Sequence, residues 1–151
     1  MKKLHILFLT ILMAVTSFIT TAQSPFTAGN IVVVRLGDGN STSGTRAIFL
    51  DEYTPVGALV QSIALPTTNS GSNLGMSSVW YKGYLDFLTL SSNKQFLTYF
   101  GYAIPPGTPT GGLIDDPNLF NRAIARIDFN GIVHSFTSIL GTDVAQSFDN
   151  A

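Results

Sequence analysis

After residue 22 the chain repeats one local pattern: short runs of β-branched and aromatic residues, each closed by Gly, Pro, Asn or Ser. No segment beyond that point carries the 3.6-residue apolar period of an amphipathic helix, so the pattern points to the all-β class. Strands are expected at residues 30–36 (NIVVVRL, apolar on both faces up to Arg35), 46–52, 58–65, 84–90, 96–102, 122–129 and 132–138. Turn residues separate them: Pro and Gly within 53–57, a polar run at 91–95, and Asn130-Gly131, the dipeptide that supplies positive φ for a type I′ hairpin. In the sixth run alternation sets Arg122, Ile124, Arg126 and Asp128 on one face, with Ala123, Ala125, Ile127 and Phe129 on the other. Residues 37–45, 66–75 and 104–120 read as loops, the last rich in Pro and Gly.

The first 22 residues have a different grammar. Lys2 and Lys3 precede an apolar run from Ile6 to Val15, broken only by Thr10, and a polar stretch ends in Thr20-Thr21-Ala22. These are the three regions of a secretory signal peptide, with cleavage expected after Ala22. The run is shorter than the roughly 20 apolar residues that a membrane span requires. Residues 23–151 therefore form the expected β-rich domain, delivered to the periplasm, the cell surface or beyond. The chain has no cysteine, which removes disulfides, thiolate metal sites, a lipid-anchoring thiol and a cysteine nucleophile. The formal net charge of −1 becomes more acidic when Lys2 and Lys3 leave with the signal. Such a surface does not attract a phosphate backbone, so nucleic acid is not an expected partner. No later segment is long and apolar enough for a transmembrane helix.

Two parts of the chain echo each other. Arg46-Ala47-Ile48 reappears as Arg122-Ala123-Ile124; each is followed by an acidic residue and a glycine turn, then by LVQSI at 59–63 or IVHSF at 132–136. A repeat of about 75 residues implies stacked supersecondary units. The second unit supplies four strands, the antiparallel meander of a propeller blade, and the first supplies fewer. The stretches FLDEYTPVGALVQSIALPTT, LTLSSNKQFLTYFGYAIPPGT and NRAIARIDFNGIVHSF resemble the opening of a group of long secreted bacterial proteins of uncharacterised function, regarded as β-propeller-like. The resemblance covers most of residues 29–138. It implies about two blades of an incomplete propeller, in an N-terminal fragment of a larger protein. It carries no catalytic residues, because its motifs mark turns and strand starts. The alternative architecture is a closed β-sandwich of seven or eight strands.

Chemistry-bearing residues are sparse. His134 is the one histidine of the expected mature chain, so an imidazole-rich metal site cannot be assembled within it, and no G-x-S-x-G elbow supplies an activated serine. His134 reads as a satisfied or edge residue of its strand. Asp38-Gly39-Asn40-Ser41-Thr42 fails the calcium-loop template, with Ser43 and Phe49 where glycine and glutamate are needed. No metal or cofactor is expected. Asp115 and Asp116 lie in the longest loop and are the carboxylates best placed for ligand contact. Trp80, Tyr81 and Tyr102 belong to an aromatic group suited either to a ligand surface or to packing between sheets. Asp51, Glu52 and Asp86 read as solvated or turn-stabilising strand residues.

Two functions fit this sequence. One is a secreted or surface-associated, non-enzymatic binding or structural β-repeat protein whose ligand is a glycan or a protein. The other is a fragment of a secreted hydrolase or lyase with its remaining catalytic groups on further blades, where Asp115 or Asp116 would contribute. Unpaired strand edges suit either reading to self-association.

Overall fold

A computed structural model describes residues 23–37, 44–79, 87–109 and 120–141. They form seven strands: β1 (Ile31–Leu36), β2 (Ile48–Tyr53), β3 (Leu59–Ala64), β4 (Thr89–Leu90), β5 (Phe96–Tyr102), β6 (Arg122–Asp128) and β7 (Val133–Ile139). All pairing is antiparallel, in a three-stranded sheet β1-β2-β3 and a four-stranded sheet β4-β5-β6-β7. The protein is all-β, as its punctuation implied.

Six strands lie within two residues of the positions read from sequence, and the differences have local causes. Arg46 is not part of β2 because its backbone pairs with Ser78 instead, at 2.7 and 3.0 Å. Ser77 in turn pairs with Tyr102, so this short extended stretch ties the start of the β2 hairpin to the end of β5. β4 pairs only through Thr89 and Leu90. Phe87 and Leu88 lie outside it, and the first three residues of the expected strand, 84–86, fall outside the described residues.

The β2–β3 and β6–β7 hairpins use the same turn. In the first, the Gly57 amide donates to the Thr54 carbonyl (2.9 Å), the Thr54 amide to the Ala58 carbonyl (2.8 Å) and the Ala58 amide to Thr54 Oγ1 (3.0 Å). In the second, Gly131 donates to the Asp128 carbonyl (3.0 Å), Asp128 to the Ile132 carbonyl (3.1 Å) and Ile132 to Asp128 Oδ1 (2.9 Å). Gly57 and Gly131 have φ of 88° and 78°, while Asn130 does not lie at positive φ. The Asn130-Gly131 turn is therefore not type I′. It matches the three-residue loop in which a type I turn is followed by one left-handed glycine. Asp128 Oδ1, which also accepts the Asn130 amide at 2.9 Å, secures this alternative.

The two hairpins correspond at a constant spacing: Ile48 to Arg122, Gly57 to Gly131 and Leu59 to Val133, each about 74 residues apart. This differs by two positions from the sequence match of Arg46 with Arg122, since hydrogen-bond register rather than residue identity defines the correspondence. The pairs Ile31↔Tyr53 and Leu97↔Ile127 are then equivalent, and each hairpin contains one bulge.

One core lies between the sheets. Ile48, Leu50 and Ile63 of the first sheet, with Leu65 and Met76, pack on Tyr99, Ala123, Ala125 and Ile127 of the second; all are buried. Val32, Val34 and Leu36 border it. The counterparts of the core-facing Ile48, Leu50 and Glu52 are Arg122, Ile124 and Arg126, which lie on the far face of the second sheet. The counterparts of Ala123, Ala125 and Ile127 are Phe49, Asp51 and Tyr53, on the far face of the first. The sheets thus stack in the same sense, with unlike faces meeting.

Leu50 is completely buried, so Leu50→Ala removes both its transfer energy and its packing. The expected loss is about 3 kcal/mol, read from urea unfolding followed by tryptophan fluorescence or circular dichroism.

Candidate functional site

A groove opens at the hairpin-turn end of the molecule, between the sheets. Its volume is about 340 Å³, and it is walled by Phe26 and Phe129 with Val32, Leu90, Leu97 and Ile127, and by the start of β5 at Phe96. Polar groups enter from Lys94, Gln95, Asn30 and Asp128. Each wall has a sequence origin. Asp128 and Gly131 set the β6–β7 turn that carries Phe129, which is 59 % exposed instead of following the inward alternation of β6. The turn before β5 is held by Ser91 and Asn93: the Ser91 hydroxyl donates to Asn93 Oδ1 (2.7 Å), and the Phe96 amide donates to Ser91 Oγ (3.0 Å). Lys94 sits at its apex with φ 58°, the one described non-glycine residue at positive φ. Such strain persists only where surrounding bonds enforce it.

The remaining wall is the segment before β1. The Phe26 amide donates to the Phe129 carbonyl at 2.9 Å, joining this arm to the second sheet. On the first sheet the arm is held by Glu52, a residue with no exposed surface. Glu52 Oε1 accepts the Thr27 amide (2.8 Å) and Asn30 Nδ2 (2.7 Å), and Oε2 accepts Gln61 Nε2 (2.7 Å). Gln61 Nε2 also donates to the Ser24 carbonyl (3.0 Å). Burial pushes the Glu52 carboxyl pKa upward, but the bonds from Gln61, Thr27 and Asn30 outweigh it and hold the pKa below the ordinary glutamate value of 4.5. The carboxylate thus clasps the arm through neutral donors.

Asp51 faces the other way. Arg35 Nε and Nη2 donate to its two oxygens at 2.6 and 3.2 Å, and the Ser62 hydroxyl donates to Oδ1 at 2.5 Å. Burial raises its pKa, and the Arg35 and Ser62 bonds with the Arg35 charge bring it below the usual aspartate range. Asp51 and Glu52 are 3 % and 0 % exposed. The reading of both as solvated strand residues is therefore corrected: each carboxylate is buried because donors on the neighbouring strands and the arm satisfy it.

Of the residues singled out in the sequence, Trp80, Tyr81, Asp115, Asp116 and Asp86 lie outside the described residues. Tyr102 is described and buried. Its ring lies under the Arg122 guanidinium at 4.1 Å, beside Val79, Ile104 and Phe120, away from the groove. His134 stands edge-on to Phe136, with ring centroids 6.1 Å apart, on the far face of the second sheet. Among the described residues no three His, Asp or Glu side chains converge as a metal site, and no helix is long and apolar enough to cross a membrane. The groove residues Phe26, Lys94 and Phe129 carried no signal in the sequence; only the turn residues flanking Lys94 and Phe129 marked the backbone that presents them. Comparison with protein-family models, curated proteins and solved structures found no match.

Because the folded Glu52 pKa lies below its unfolded value, its stabilisation is fully present above about pH 4.5 and is lost as pH falls through the folded value. Glu52→Gln is expected to cost roughly 2 kcal/mol at neutral pH, since charge-assisted bonds exceed neutral ones. It should also flatten the acid limb of a stability-versus-pH curve measured by chemical denaturation.

Proposed function

We propose that this protein is a secreted or surface-associated, non-enzymatic binding and structural protein of stacked β-repeat units, propeller-like in its blades. Its ligand in this reading is an extended segment of another protein. Export is supported by the signal grammar of the first 22 residues. The repeat is supported by the two hairpins with equivalent turns and registers.

The observation that carries the binding reading is the groove. Phenyl rings form an apolar floor, and a single lysine stands at the rim. The carboxylate at its border is occupied in part, because Asp128 Oδ1 accepts the Asn130 and Ile132 amides. The groove therefore offers burial to an apolar side chain and a cation to a neighbouring acid. A sugar needs more polar partners than these rings provide. The apolar lining of the groove therefore supports a peptide ligand.

An array of peptides with a Leu or Phe adjacent to Asp or Glu tests this against the full chain. Saturable binding is expected for a subset. Lys94→Ala should weaken it by about fivefold, the scale of one exposed charge pair, and Phe129→Ala by more. Binding indifferent to both substitutions would remove the groove from the reading, as would no binding at millimolar peptide.

A further inference from the structure

Among the described residues, the same-sense stacking of the sheets leaves two unlike faces open. The far face of the first sheet carries Ile31, Val33 and Leu59, exposed at 56 %, 47 % and 57 %. These stand around the Arg35–Asp51–Ser62 bonds, with the Arg35 guanidinium 4.2 Å above Phe49. The far face of the second sheet carries Phe136, 52 % exposed, Phe96 and His134 around the Arg126 guanidinium, which lies 4.4 Å from the Phe96 ring and 5.9 Å from that of Phe136. At its other end this face is occupied, because Tyr102 packs with Val79, Ile104 and Phe120. Both open patches therefore lie toward the hairpin turns.

These faces correspond, through strand register, to the two faces already joined in the core. The open face of the second sheet bears the counterparts of Val32, Leu50 and Glu52, which in the first sheet pack inward. The open face of the first sheet bears the counterparts of Tyr99, Ala125 and Ile127. The interface within the molecule is thus one step of a stack whose next step joins the register-equivalent pair of faces.

We propose that the occupant of these faces is a second copy of this chain, docked head to tail, with the second sheet of one copy on the first sheet of the next. The contact continues the interface between the sheets and is heterologous, so it grows until it closes or is capped. It buries Val33 and Ile31 of one copy against Phe136 and Arg126 of its neighbour. The inference rests on the stacked-unit reading above. Peptide binding in the groove is measured separately, so one can fail without the other.

The test uses complementation between two variants of the full chain. Val33→Lys disables one face and Phe136→Lys the other; both sites are about half exposed, so unchanged circular dichroism and thermal unfolding are expected. Leu59→Lys and His134→Lys form a second pair if either variant unfolds. In sedimentation velocity, the wild type should grow beyond a dimer as concentration rises. Each variant alone should associate at least tenfold more weakly. An equimolar mixture should form a one-to-one dimer and nothing larger, because only one intact pair of faces remains. A monomeric wild type at about 100 μM, folded variants that still assemble alone, or a mixture that stays monomeric would each overturn the proposal.

Discussion

The structure depends on how small residues of one sheet receive large residues of the other. Gly101, Ala123 and Ala125 form a shallow floor on the second sheet, and Ile48, Leu50 and Met76 fill the space above it. The fit is close at Gly101, where an added methyl would meet the Ser77 carbonyl at 2.9 Å and the Met76 side chain at 3.0 Å. In a chain without cysteine, this packing and the hydrogen bonds around it do the work that disulfides do in many exported domains. Each buried Leu or Ile contributes roughly 1.5–3 kcal/mol, so the two sheets stand or fall together.

The strand inventory was legible because its signals are local. β-Branched runs, alternation along 122–128 and turn glycines all act within a few residues, and six of the seven strands match their expected spans to within two residues at both ends. What the sequence could not show was which faces meet. That depends on register summed over several strands, and matching the two hairpins by residue identity, Arg46 with Arg122, sets them two residues away from the correspondence that the register defines. The turn type was missed for a related reason. Asn-Gly favours type I′ by its own conformational freedom, but the Asp128 side chain, two residues earlier, bonds two of the loop amides.

The candidate site was the least legible part. Its walls come from three separated places, the arm, the β5 start and the β6–β7 turn, and nothing in their local patterns links them. Glu52 was misread because an acidic residue in a strand is normally solvated. Its burial is intelligible only with Thr27, Asn30 and Gln61 in place, and those partners are brought to it by the arm and by β3.

The two buried carboxylates of β2, adjacent in sequence, answer differently to the surrounding medium. Asp51 is held by an arginine, and that attraction weakens as dissolved ions screen it. Glu52 is held by an amide proton and two carboxamides, which have no net charge to be screened. Brine would therefore loosen the bond on the open face of the first sheet while leaving the arm in place. On the exported reading proposed above, the surroundings include salinities that the producing cell does not control, and on this side chain the joint that shapes the groove is indifferent to them.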